Sequence, residues 1–273
     1  MVHSLAEMLR GRNADEKRRR LVGTCLHVGV LDGEGYLEPD EGTAQGSSLS
    51  PLLGNIYLHH VLDVWFEREV QPRLRGRSAL VRYADDFVLC FQHQEDAERV
   101  WKVLGQRFAK YGLALHPKKT RCFSFRAPHD GDDSGGTTFD FLGFTSYWRR
   151  TRSGTLRVAF RTRGVRLRRA IQAATEWCRR HRHDPVEEQH LALTRKLIGH
   201  YNYFGVNWNL EALENLRYRV TRAWQKWLNR RSQRAKMTWK RFNELLRRLP
   251  LPAPRIKVQI WNPGRPRAAF PNP

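Results

Sequence analysis

The stretch from Ala79 to Phe91, "ALVRYADDFVLCF", sets two adjacent carboxylates, Asp85 and Asp86, between two short apolar runs. Each run has the length and composition of a strand, which predicts a β-hairpin with Ala84, Asp85 and Asp86 between its strands. Asp is also a good turn former, and the hairpin alone asks for nothing more. The chemical reading is a divalent-cation site. Adjacent carboxylates repel, so a turn between buried strands is a costly place for them unless a cation neutralises both. Hard oxygen donors with open positions suit Mg²⁺, or Mn²⁺ in its place. Mg²⁺ takes one or two carboxylates and leaves the rest of its shell to water and phosphates.

The segment ahead of the hairpin decides between these readings. Residues 42–58 read "GTAQGSSLSPLLGNIYL", and "VRYADDFVLCF" follows at 81–91. Together the two segments closely resemble the palm of a reverse transcriptase, in the wording of the group II intron-encoded reverse transcriptase/maturases. The resemblance implies an α+β fold: a right-hand polymerase palm, an antiparallel sheet with helices on one face, followed by an α-helical thumb/maturase region. It implies an RNA-directed DNA polymerase acting in intron splicing and retrohoming. Its partners would be intron RNA, an RNA template with a DNA primer, and deoxynucleoside triphosphates. Carried over residue by residue, Asp85 would ligate Mg²⁺ with Asp86 assisting. Gln45 and Gly46 would position template and incoming nucleotide by close backbone approach, with Tyr83 beside that nucleotide. Lys119, in "LALHPKKT" at 113–120, matches the basic position near the triphosphate; without the resemblance it reads as a surface lysine after a proline turn. Ala44 stands where relatives usually have Pro.

Several elements must position these residues. "LDGEGY" at 31–36 carries the Asp-Gly signal of a hairpin. Ser50-Pro51 predicts a helix start, with Ser as N-cap and Pro at the first helical position. Leu52, Ile56, Leu58, Leu62, Trp65 and Phe66 then recur at helical spacing through Val70. Ala97, Val100, Trp101, Leu104 and Phe108 mark a second amphipathic helix, ending near Gly112. Residues 128–136, "PHDGDDSGG", predict a loop. They do not make an EF-hand, because the twelfth position from Asp130 is Phe141 rather than Glu. Phe139 to Phe144 resembles the short "FLGF" segment that closes the palm beside the primer, and is equally a core hairpin.

Charge divides the chain. Residues 1–143 hold 19 Lys/Arg and 20 Asp/Glu, whereas 144–273 hold 30 and 7, so the net +22 belongs to the second half. Such asymmetry points to a polyanion, nucleic acid before membrane. Helices are predicted at 164–180, 187–204, 210–232 and 238–248, broken at Asp184-Pro185, Gly205-Val206-Asn207 and Leu249-Pro250. Leu213, Leu216, Val220, Trp224, Trp227 and Leu228 form one apolar stripe, expected in the core. Arg217, Arg219, Arg222, Lys226, Arg230 and Arg231 are expected opposite it; of these, Arg217, Arg222, Lys226, Arg230 and Arg231 are the RNA-binding candidates, suited to phosphates and shape. "GHYNYFGV" at 199–206, "RRSQ" at 230–233, "TWKRF" at 238–242 and "LPAPRI" at 251–256 resemble the thumb and maturase region. The expected domains are 1–160, a partial reverse transcriptase domain with incomplete fingers and the palm; 161–256, a helical thumb/maturase RNA-binding region; and 257–273, a Pro-rich tail.

Cys25, Cys90, Cys122 and Cys178 show no metal or disulfide spacing, and no run approaches membrane-spanning length. Cys178, His181 and His183 lie close together but lack a second ligand pair at zinc spacing. A cytoplasmic, nucleic-acid-associated chain without a membrane partner is expected. The resemblance also implies an earlier Asp-bearing strand, and Asp15 has no strand pattern around it. The expectation is therefore a chain lacking the first catalytic Asp. On that ground a non-catalytic RNA-binding maturase, or a degenerate remnant, stands as the alternative.

Overall fold

The computed structural model describes residues 30–32, 35–37, 50–128, 136–232 and 236–260. Ala44, Gln45, Gly46, Asp15, Cys25, the centre of the 128–136 loop and the tail beyond Ile260 lie outside the described residues. The chain is mixed helix and strand with small antiparallel sheets, and it divides into two compact units, Met1–Ser124 and Phe125–Pro273. That division falls ahead of the functional boundary expected at 160, so the three-stranded sheet belongs with the helices that follow it.

In the first unit, β1 (Val30–Asp32) pairs antiparallel with β2 (Gly35–Leu37), ending on Asp32 opposite Gly35, as the Asp-Gly signal predicts. Helix α1 (Ser50–Leu58) is followed by two π-helical segments, His59–Val64 and Phe66–Val70, where regular α-helix is predicted. The buried side chains of this stretch are Leu53, Tyr57, Val61, Leu62, Trp65, Phe66 and Val70. Leu52, expected inside, is 56% exposed, and its neighbour Leu53 is buried instead.

The hairpin of β3 (Ser78–Tyr83) and β4 (Asp86–Phe91) follows, then helix α2 (Gln94–Lys110). Leu80, Phe87, Leu89 and Phe91 on one face of the hairpin pack against Leu62, Trp65, Phe66, Val100, Leu104 and Phe108, so both helices cover the same face. Trp101, expected in this core, is 44% exposed. Asp96 is buried and accepts from the Arg75 and Gly76 amides at 3.1 Å each and from Arg99 at 2.5 Å, which anchors the loop entering β3. The Arg99 guanidinium and those two amides hold its carboxyl below the usual carboxylate range.

In the second unit, β5 (Phe139–Phe141), β6 (Phe144–Arg150) and β7 (Leu156–Thr162) form one antiparallel sheet in that order. Leu142 and Gly143 make the β5–β6 turn, both at positive φ, 49° and 80°. Four helices follow: α3 (Gly164–Arg180), α4 (Val186–Phe204), α5 (Leu210–Leu228) and α6 (Trp239–Arg248). Their starts and all three breaks fall within a residue of the prediction. The third helix stops at Leu228, and Asn229, Arg230 and Arg231 make turns back onto its last residues. Leu193, Leu197, Leu213, Leu216, Val220, Trp224, Leu228 and Phe242 form the core. Trp227, expected in it, is half-buried at its edge. Trp224 is fully buried and donates Nε1–H to Gln189 Oε1 at 2.9 Å, so the core holds one satisfied polar pair. Residues 257–260, assigned to the tail by composition, lie on the α4–α5 loop, where the Asn207 amide donates to the Val258 carbonyl at 3.1 Å.

Candidate active site

The β3–β4 hairpin is in register from Ser78↔Phe91 to Tyr83↔Asp86, leaving Ala84 and Asp85 as a two-residue turn. Asp86 therefore opens β4 rather than lying in the turn as expected. Two-residue hairpin loops require positive φ to match strand twist, and Ala84 supplies it at φ 53° despite its Cβ. Strand alternation sorts the rest. Ser78, Leu80 and Arg82 face the helices, whereas Ala79, Val81 and Tyr83 face away and are exposed, Tyr83 at 67%. Asp85 and Asp86 are exposed. The tip thus gathers Tyr83, Asp85 and Asp86, three of the predicted site residues, at one end of a short two-stranded ribbon.

Asp85 and Asp86 offer hard oxygens only. Mg²⁺ accepts one or two protein carboxylates and completes its shell with water and phosphate, so the donor set fits such an ion bound together with a nucleotide. Among the described residues no group of three or more His, Cys, Asp or Glu side chains gathers at one point. Cys178 is buried, which pushes its thiol up to about 12, and His181 pairs through Nδ1 with Asp184 at 2.8 Å.

Sequence reasoning passed over the residues beneath the turn. Arg82 donates Nε–H to Asp63 Oδ1 and Nη2–H to Asp63 Oδ2, both at 2.7 Å. Its Nη1 donates to Asn55 Oδ1 and to the Ala84 carbonyl, each at 2.9 Å. Asp63 also lies 3.3 Å from His59 Nδ1. The available signal was parity: a charged residue sits at an inward position of β3, beside Leu80. Lys119 is exposed in the turn after α2, its amide donating to the His116 carbonyl at 3.1 Å.

The second unit carries the basic residues. Arg217, Arg219, Arg222, Lys226 and Arg230 are all exposed. Arg222 donates to the Tyr218 hydroxyl at 2.9 Å, while Lys226 and Arg230 lie 5.5 and 5.6 Å from the centre of the Trp227 ring. Cations thus alternate along this side of α5 with the exposed Tyr218 and the half-buried Trp227. Arg217 stands apart, its guanidinium 3.4 Å from the Leu251 carbonyl. Arg231 differs from the rest: it is half-buried and its guanidinium donates to the carbonyls of Arg182 and Asp184, closing the α3–α4 loop. Among the described residues, no helix is long and apolar enough to cross a membrane.

Protein YkfC of Escherichia coli (strain K12) is 29% identical over 182 residues, covering 56% of this chain and 45% of that protein. Group II intron-encoded protein LtrA of Lactococcus lactis subsp. cremoris is 32% identical over 113 residues, covering 39% of the chain and 18% of that protein. Telomerase reverse transcriptase of Takifugu rubripes is 32% identical over 79 residues, 29% of the chain and 7% of that protein. The matched segments thus span 45% or less of these relatives' lengths. The family model described as reverse transcriptase (RNA-dependent DNA polymerase) matches residues 5–146 of the 273, a span that includes the carboxylate hairpin. The chain belongs to the reverse transcriptase family, and within that family it is similar to group II intron-encoded protein.

Proposed function

We propose that this chain works as an RNA-directed DNA polymerase of the group II intron type, with the β3–β4 hairpin as the catalytic edge of its palm. The observation that carries the reading is two exposed adjacent carboxylates at the tip of the hairpin, Asp85 in the turn and Asp86 opening β4, inside the span that matches the reverse transcriptase family. Asp85, with Asp86 beside it, would hold Mg²⁺ or Mn²⁺. Such an ion, when bound, supplies charge stabilisation for the attacking 3′-oxygen and the leaving pyrophosphate. Tyr83 offers an exposed ring on the same end of the ribbon, for the sugar or base of the incoming nucleotide. Gln45 and Gly46 would position template and nucleotide, and Lys119 would neutralise the triphosphate. Residues 1–160 would supply fingers and palm.

Residues 161–256 would form the thumb/maturase region and bind intron RNA for splicing and retrohoming through Arg217, Arg222, Lys226 and Arg230, with residues 257–273 as a tail. Exposed cations interleaved with Tyr218 and Trp227 support a face that meets phosphates and stacks on unpaired bases. Arg231 would serve that face by holding the loop under it.

Primer extension on an RNA template, with deoxynucleoside triphosphates and Mg²⁺ or Mn²⁺, tests the polymerase. Extension that disappears in Asp85→Asn is the expected result. Undiminished extension by Asp85→Asn would overturn the metal assignment, and no extension by the unaltered protein would favour the non-catalytic RNA-binding alternative.

A further inference from the structure

The carboxylate turn has no wide support of its own. It is two residues long, it contains a non-glycine residue at φ 53°, and it sets Asp85 beside Asp86, the first residue of β4, at an exposed tip. A left-handed non-glycine residue is strained, because its Cβ crowds the following carbonyl oxygen. Repulsion between Asp85 and Asp86 further favours splaying of the turn before a cation arrives. Something must hold the tip closed.

Arg82 is placed to do this. Only 13% of its side chain is exposed, and all three guanidinium nitrogens are used. The Asp63 carboxylate takes two of them in a bidentate fork, which fixes the guanidinium plane and aims Nη1 at the Ala84 carbonyl. Asp63 comes from the π-helical segment, with Asn55 from α1. The bonds therefore tie the strained residue of the turn, through Arg82 of β3, to α1 and the π-helical segment in the core of the same unit.

We propose that Arg82, aimed by Asp63, is the positioning residue of the carboxylate turn: it holds Ala84 left-handed so that Asp85 and Asp86 are already set when a metal-bound nucleotide arrives. The functional weight of this inference rests on the reading of Asp85 as a metal carboxylate. A plain ion pair would be satisfied by any cation at position 82. A clamp requires the fork, because one group must reach Asp63 twice and Ala84 at the same time. Lysine offers a point charge and cannot do this.

The test uses the full chain and three readouts on Arg82→Lys, Asp63→Asn and Asp85→Asn: thermal melting, amide hydrogen exchange at residues 84–86 without metal, and Mn²⁺ binding. Arg82→Lys is expected to melt close to the unaltered protein. Its exchange at 84–86 should nevertheless rise about tenfold relative to Leu80 and Leu89, and its Mn²⁺ affinity should fall about tenfold, the scale of lost outer-shell support. Should Arg82→Lys fail to fold, Asp63→Asn loosens the same fork with Arg82 in place and should give the same pattern. Unchanged exchange at 84–86 in a folded variant would overturn the clamp. Mn²⁺ binding that survives Asp85→Asn would overturn the metal reading alone, leaving the exchange measurement to decide the clamp.

Discussion

Asn209 and Thr162, 47 residues apart, are joined by two hydrogen bonds: the Thr162 amide donates to Asn209 Oδ1 at 2.7 Å, and Asn209 Nδ2 donates to Thr162 Oγ1 at 2.8 Å. Asn209 Nδ2 also donates to the Phe204 carbonyl at 2.8 Å. One buried side chain thus fastens the end of the three-stranded sheet to the α4–α5 loop. Asn209→Ala removes the partners of the buried Thr162 amide and hydroxyl, at about 1–3 kcal/mol for each group left unsatisfied, whereas the Phe204 carbonyl keeps the Val206 amide at 2.8 Å. We expect roughly 3 kcal/mol of destabilisation of this unit in urea unfolding. Asn209→Asp restores one acceptor but loses both donors and buries a charge, so it should be no milder.

Adjacent arginines should separate by task. Arg231 closes the α3–α4 loop through the Arg182 and Asp184 carbonyls, whereas Arg230 is exposed over Trp227. Hydrogen bonds from a charged donor contribute about 1.5–3 kcal/mol. Arg231→Ala should therefore lower stability by about 2 kcal/mol in chemical unfolding. Arg230→Ala should leave stability within about 0.5 kcal/mol, as surface substitutions do, and weaken RNA binding.

Acid should loosen the helical unit through His200. Its ring lies 4.5 Å from Phe204, its Nε2 is buried without a hydrogen-bond partner, and burial lowers its pKa from 6.5 to about 4. Between those values the unfolded chain takes up a proton that the folded chain refuses. Stability present above pH 6.5 is thus lost progressively as pH falls toward about 4. Urea unfolding at about pH 7.5 and about pH 5 should show a smaller acid loss for His200→Leu than for the unaltered protein.

RNA binding should be separable from charge alone. Salt dependence follows from any set of phosphate contacts and does not identify the partner. At fixed, near-physiological salt, the chain should prefer its cognate intron RNA over an unrelated RNA of equal length by more than tenfold, about 1.4 kcal/mol. Replacing Arg222, Lys226 and Arg230 together should weaken binding to both RNAs. Equal affinities, measured by filter binding, would remove the maturase reading.

Local pattern was enough for much of this chain. Helix starts at 164, 186, 210 and 239 follow from Pro, Gly and Asn breaks in periodic segments, because chain entropy and missing amide donors act within a few residues. The carboxylate hairpin follows from two apolar runs of strand length around two acids, and the reverse transcriptase family from the wording of residues 42–58 and 81–91. What sequence did not disclose depends on partners distant in the chain. No local signal says that Asp63 would meet Arg82 or that Asn209 would meet Thr162. Arg231 reads as one more surface cation until the α3–α4 loop closes beneath it. The π winding of 59–70 was hidden as well. A four-residue apolar spacing fits α and π turns alike, so the buried pattern of this stretch does not distinguish them. The sequence alone thus determined which residues carry charge and where the chain breaks. Tertiary structure decided which of those charges are spent on holding the fold, because a polar group's task depends on the partner that burial brings to it.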